Sequence, residues 1–263
     1  FIIPRIRTAV ITSHVVGLIK KLGLLPKISE TEKIALTSGT VWVDGELFSG
    51  NPNFKTIFNQ QYPTLNKEEQ KLLSYIDANL PRAIELLKES VNINSGTLNI
   101  EGVKKVGALF AKEFEAAGLQ THWVSMPDSI KRAGHLVAMT PMAKNAQGNK
   151  KPKGKKLFLI GHLDTVFEPD MPANPFTWLN DSTATGQGVN DMKGGDVIML
   201  YALKALKDNG LLKNTQIIVA LTGDEESTGK PLEISREHLI EAAKRSDIAL
   251  CFETSTGFNY ATV

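Results

Sequence analysis

Six side chains in the second half of the chain are of the types that a hydrolytic metal centre uses. His162 and Asp164 lie in Gly161-His162-Leu163-Asp164-Thr165-Val166-Phe167, and Asp191 closes Gly186-Gln187-Gly188-Val189-Asn190-Asp191. Glu225 and Glu226 follow Thr222-Gly223-Asp224, and Glu253 follows the apolar run Ile248 to Phe252. Imidazole and carboxylate together suit zinc, and cobalt or manganese fit the same donors. Five carboxylates gathered without a cation would lose hydration and repel one another at large cost. Divalent cations offset both penalties.

The residue types predict a division of labour around two Zn2+ ions, with Co2+ or Mn2+ as substitutes. His162 and Glu253 hold one ion and Glu226 the other, while Asp191 bridges them with its two oxygens. Asp164 orients His162, because a metal-bound imidazole needs a partner on its other nitrogen. Glu225 stays off the metal, accepts a proton from water and delivers it to a leaving group. Taken singly, each residue has a plainer reading: a chance His-x-Asp, a solvated glutamate pair, an N-cap at Asp191 before Met192, a surface Glu253. Their joint placement at strand ends and loops favours the metal reading. His14, His122, His135 and His238 have no such setting and read as structural or surface residues. Cys251 lies in an apolar strand and reads as a buried core thiol.

The elements that must position these groups alternate in type. Leu157-Phe158-Leu159-Ile160 is a short buried strand by its apolar run, and Gln216 to Leu221 and Ile248 to Phe252 read likewise. Helical patterns over Met192 to Lys207 and Ser235 to Arg245 separate them. This order predicts an α/β fold, with a mostly parallel sheet flanked by helices, whose strand ends converge where ligands bind. Upstream, Leu65 to Leu87 carries an apolar face through Leu72, Ile76, Leu80, Ile84 and Leu87, with Pro81 expected to start a second helix or a kink. Glu101 to Ala117 is a further amphipathic helix, stopped by Gly118. Thr121 to Val124 and Gly134 to Met139 are strands. Lys144 to Lys156, with six lysines, reads as a solvated loop, and Glu168 to Asn180 as a Pro-rich loop bearing Phe176 and Trp178.

Composition narrows the function classes. The 263 residues are 42% hydrophobic and 22% charged, as in soluble globular proteins, and allow one large domain or two smaller ones. A net charge of +2 argues against a strongly nucleic-acid-binding surface. The single cysteine excludes an internal disulfide and a thiolate-rich metal site, so any metal falls to His, Asp and Glu. Val15 to Leu25 is interrupted by Lys20 and Lys21 and is too short and too charged to span a membrane. No signal peptide is read in the opening Phe1-Ile2-Ile3-Pro4, and the compartment, cytoplasmic or periplasmic, is left open. Residues 1–62 read as an N-terminal helical arm. Within it, Thr8 to Leu25 is a basic amphipathic helix, Ser29 and Glu32 suit a helix start, and Gly39 to Gly50 is a turn-rich packing segment. A new unit begins near Pro63 and runs to 263.

Residues from about 65 to 263 resemble the front part of the M20-family zinc metallopeptidases, especially the glutamate carboxypeptidase group. The similarity rests on Gly161 to Phe167, on Gly186 to Gly195 including Asp191-Met192-Lys193-Gly194-Gly195, on Gly223-Asp224-Glu225-Glu226-Ser227, and on Asn92-Ile93-Asn94-Ser95-Gly96-Thr97. The resemblance implies a zinc-exopeptidase-like catalytic domain, with Asp191 as the bridging ligand, Glu225 as general base and Glu253 as a carboxylate ligand. Thr254 stands where the family commonly has proline. It implies a cis peptide bond at Asp191-Met192. It also implies a lid-like dimerisation domain and a last histidine ligand beyond the present chain, so the second metal site is expected to be incomplete here. The implied activity is hydrolysis of a peptide or amide bond, releasing a C-terminal residue such as glutamate. N-acyl amino acid deacylation or desuccinylation, and an inactive truncated fragment, stand as alternatives. The implied partners are a small peptide or N-acyl amino acid and, through the lid, a second copy of the full-length parent. Residues of about 1–60 resemble a segment of bacterial long-chain acyl-CoA dehydrogenases, mainly through Gly39 to Gly50. That segment holds no flavin or acyl-CoA site, and no dehydrogenase activity is assigned.

Overall fold

A computed structural model of the chain describes residues 13–21, 53, 55, 64–141, 154–212 and 215–254. The chain divides into two units, the second spanning Leu65–Ser255. In the first, helix α1 (Ser13–Lys21) lies inside the helix expected from Thr8 to Leu25. The expected helix start at Ser29, the Gly39 to Gly50 segment and the lysine-rich loop up to Lys153 lie outside the described residues.

In the second unit, helix α2 (Lys67–Val91) starts at a reciprocal cap. Asn66 accepts the N–H groups of Glu68 and Glu69, and Glu69 accepts the N–H of Asn66. Pro81 lies inside this helix and does not start a second one, the first of the two outcomes expected from the sequence. The missing N–H costs one backbone hydrogen bond. Ile76 on one side of Pro81 and Ala83, Leu86 and Leu87 on the other all pack into the same core. Packing of an apolar face outweighs local propensity. Helix α3 (Ile100–Ala116) is capped by Asn99, whose side chain accepts the N–H of Gly102, and buries Val103, Val106, Phe110 and Phe114.

The sheet contains β1 (Gln120–Val124), β2 (His135–Met139), β3 (Lys156–His162), β6 (Gln216–Thr222) and β7 (Ile248–Cys251), in the order β1-β2-β6-β3-β7. β3 runs parallel to β6 and to β7, whereas β2 is antiparallel to both neighbours, β1 and β6. β2 alone therefore runs against the common direction, and the fold is the expected α/β class with a mostly parallel sheet. Side-chain alternation splits the core in two. Leu159, Ile217, Val219 and Leu221 join α2, α3 and helix α4 (Lys193–Asp208) on one face. Phe158, Ile218 and Ala220 join Ala242 and Leu239 of helix α6 (Glu237–Lys244) on the other.

Two further expectations change. Within the presumed loop Glu168 to Asn180, β4 (Thr177–Asn180) pairs antiparallel with β5 (Thr183–Thr185), and the Asn180 side chain accepts the N–H and hydroxyl of Ser182 in the turn. The helix expected over about Ser235 to Arg245 is present as α6, preceded across Arg236 by the short α5 (Leu232–Ser235). Cys251 is exposed rather than buried, because β7 is the outer strand of the described sheet and all its residues are exposed. Among the described residues, no helix is long and apolar enough to cross a membrane.

Candidate metal centre

Sheet register brings the candidate residues to one edge. His162, the last residue of β3, lies opposite Thr222 at the end of β6. Ile160 lies opposite Cys251 at the end of β7, so Glu253 emerges beside His162. Asp191 arrives from the turn that opens α4.

The His162 ring is buried, 1% exposed. Its Nδ1 donates to the backbone carbonyl of Asp164 at 2.9 Å, which turns Nε2 outward. Nε2 lies 3.0 Å from Asp191 Oδ1, 3.4 Å from Glu253 Oε1 and 4.0 Å from Glu225 Oε2. One ligand atom each from His162, Asp191 and Glu253 falls within 4.8 Å of the others. An oriented imidazole nitrogen facing two carboxylates is a donor set that fits a divalent cation, zinc in particular. Asp191 is not an N-cap: Met192 holds the cap position of α4, with no side-chain cap bond. The Asp191-Met192 peptide bond is cis.

Asp164 lies beneath this group, fully buried. Its backbone carbonyl makes the close contact to His162, and its Oδ1 stands 3.5 Å from Nδ1. The carboxylate accepts from Thr97 Oγ1 at 2.7 Å and from the backbone N–H groups of Glu225 and Glu226 at 3.0 and 3.1 Å. Glu225 projects its exposed side chain beside the triad. Glu226 is outside the group of three. Burial, then the nearby Asp191 charge, raises its carboxyl pKa. Burial raises the Glu253 carboxyl as well, with Asp191 and Glu225 adding to the shift. For His162, burial opposes the charged form, but Asp164, Asp196 and Glu253 together outweigh it and push its pKa up to about 10.

Several supporting residues carried no role in the sequence reading. Thr97 ends the Asn92 to Thr97 block, which is stitched to the site. Thr165 N donates to Ser95 O, Asn94 Nδ2 to Phe167 O, and Gln187 Nε2 to Val91 O. Lys193 is buried, and its Nζ donates to the carbonyls of Ser90 and Ile93. Burial lowers its pKa to about 7. Asp196 is fully buried with neither carboxyl oxygen partnered, and burial pushes its pKa well up. A Cβ on Gly161 would stand 2.2 Å from Asp196 Oδ1, so the close approach of α4 to β3 requires glycine there. Polar residues inside the glycine-rich motif blocks were the available signal for Thr97 and Lys193. Nothing local marked Asp196, which sits among apolar helix positions.

Comparison with known proteins shows what this chain is similar to. The pattern of Peptidase family M20/M25/M40 matches residues 158–259. Carboxypeptidase G2 of Pseudomonas sp. (strain RS-16) is 34% identical over 179 residues, covering 67% of this chain and 40% of that protein. Among solved structures, human carnosine dipeptidase 1 superposes with a TM-score of 0.55 at 20% identity, over 69% of this chain and 40% of the other. The Saccharomyces cerevisiae di-peptidase Dug1p superposes with a TM-score of 0.55 at 16% identity, over the same shares. The chain thus spans 40% of the length of each of these relatives.

Proposed function

We propose that this chain, an M20 carboxypeptidase-like protein, carries the metal-binding and general-base part of a hydrolase that releases a C-terminal residue such as glutamate from a small peptide. The observation that carries the reading is the approach of Asp191 and Glu253 to His162 Nε2, with Glu225 beside them. We assign the hydrolytic part to residues 63–263 and treat residues 1–62 as a separate arm.

His162, Asp191 and Glu253 would hold one zinc ion, and Glu226 with Asp191 would contribute to a second. Zinc bound there supplies Lewis acidity to the scissile carbonyl. Glu225 takes a proton from water as the water oxygen bonds to the carbonyl carbon. It then returns that proton to the departing nitrogen as the C–N bond breaks. Asp164 keeps His162 and the Glu225 backbone in register. The 34% identity to Carboxypeptidase G2 supports a carboxypeptidase.

The test is zinc titration of the full chain by calorimetry, paired with hydrolysis of glutamyl peptides and, in parallel, of N-acyl amino acids. Zinc binding with glutamate release, abolished in Glu225→Gln, is expected. Preferential turnover of N-acyl amino acids would move the reading to a deacylase. Absence of zinc binding, or full turnover by Glu225→Gln, would refute it.

A further inference from the structure

Behind the proposed base lies a part-buried ionic clasp that the metal reading leaves unused. Asp224, 0% exposed, immediately precedes Glu225. Its Oδ1 accepts from Arg236 Nη1 at 2.6 Å, and its Oδ2 accepts the N–H of Gly229 at 2.8 Å. Arg236 Nη2 donates to the Asp224 carbonyl at 3.1 Å and to Thr228 Oγ1 at 2.8 Å. One guanidinium therefore grips the carboxylate and carbonyl of the residue before Glu225 and also the far limb of the same loop. His135 closes the back. Its Nδ1 accepts the N–H of Gly223 at 3.3 Å, so its proton resides on Nε2, which donates to Ser235 O at 2.9 Å. Burial lowers the His135 pKa, in keeping with that neutral form. Ser235 Oγ donates to Gly229 O at 2.9 Å.

The opposite side of the loop is tied to Asp164 through the N–H groups of Glu225 and Glu226. Residues 223–229 are thus pinned from both sides, while the Glu225 side chain remains exposed beside the triad. Charge-assisted bonds to a planar fork fix direction as well as distance. Removing the cation would leave Asp224 buried without its charged partner. We propose that Arg236 is a positioning residue for Glu225, acting through Asp224 and Thr228. This proposal rests on the assignment of Glu225 as general base. It also accounts for the break between α5 and α6, since Arg236 sits at that break with its side chain turned to the loop.

The test compares Arg236→Met, Arg236→Lys and Thr228→Val in the full chain. The first measurement is amide hydrogen exchange, which needs neither metal nor substrate. In Arg236→Met, exchange at Glu225, Glu226 and Gly229 should rise about tenfold or more, while β6 amides keep their wild-type protection. The second measurement is steady-state hydrolysis with zinc. Displacing the base should lower kcat by about 10- to 100-fold, leave KM near wild type, and leave the calorimetric zinc affinity near wild type. Lysine restores the charge without the two-limbed grip, so Arg236→Lys should fall between wild type and Arg236→Met. If Arg236→Met does not fold, the same criteria apply to Arg236→Lys and Thr228→Val. Unchanged protection at Glu225 and Glu226, or equal loss across the whole second unit, overturns the proposal. If the wild-type chain hydrolyses nothing, the hydrolytic reading fails, and the exchange measurement still judges the clasp.

Discussion

Asp164 carries Glu225: Oδ1 of the first accepts the backbone N–H of the second at 3.0 Å, across 61 residues of sequence. The same residue holds His162 Nδ1 through its carbonyl at 2.9 Å. A single buried residue therefore sets the position of the His162 imidazole and of the neighbouring proposed base, so damage to it reaches both.

Asp164→Asn keeps the shape and the carbonyl contact but replaces one acceptor oxygen with an NH2 donor. That donor faces either the N–H of Glu225 or the Thr97 hydroxyl together with the N–H of Glu226. Zinc affinity and kcat should each drop about 10- to 100-fold, by calorimetry and steady-state kinetics. A variant that loses neither would remove Asp164 from this role.

Zinc binding should release a proton from His162. In the metal-free chain burial opposes charging, but the surrounding carboxylates outweigh it and raise the pKa from 6.5 to about 10. Zinc requires the free Nε2 lone pair, so near neutral pH binding should release about one proton from this ring, and affinity should climb about tenfold per pH unit below that pKa. The sign for stability follows. A folded pKa above the unfolded one means that the imidazolium stabilises the metal-free fold. That contribution is full below about 6.5 and is lost as pH rises through about 10. Calorimetry in buffers of different ionisation enthalpy counts the protons. No release attributable to His162 near neutral pH would contradict the assignment.

Asp196→Asn should stabilise the metal-free chain in alkali. Burial raises the Asp196 pKa above its ordinary 3.8. The native state then holds this proton more tightly than the unfolded state, so stability contributed here falls as pH rises above the ordinary value. The asparagine removes that dependence. Its melting temperature should exceed wild type at about pH 8, with the gap narrowing toward about pH 4. Thermal denaturation across that range is the check, and a pH-independent gap would point to packing instead.

Gly161→Ala should destabilise the chain by about 1–3 kcal/mol through overpacking. Its new methyl would stand 2.2 Å from Asp196 Oδ1 and 2.9 Å from Leu221 Cδ2. Shortening the opposing side chain in Gly161→Ala/Asp196→Ala should recover part of the loss, a coupling measurable by a double-mutant cycle in urea. Strict additivity would show that the Asp196 contact is not the source of the strain.

The sequence by itself determined the local elements and the chemistry they bear. The apolar runs at Leu157 to Ile160 and Gln216 to Leu221, and the apolar face of α3, are short-range patterns set by side-chain alternation and helical period. They appear in the structure within a residue or two. The six candidate residues were legible because imidazole and carboxylate chemistry is a property of residue type, and their placement at strand ends and loops is a property of local order. Tertiary structure decided proximity. Register opposite β6 and β7 brings Glu225 and Glu253 to His162, and the same strand order leaves Cys251 on the outside. Core packing on both sides of Pro81 carries α2 through a residue that locally favours a break. The burial of Asp196 and the reach of Arg236 to Asp224 depend on contacts between separate elements. No local period encodes such contacts, because hydrogen bonding and desolvation act through space.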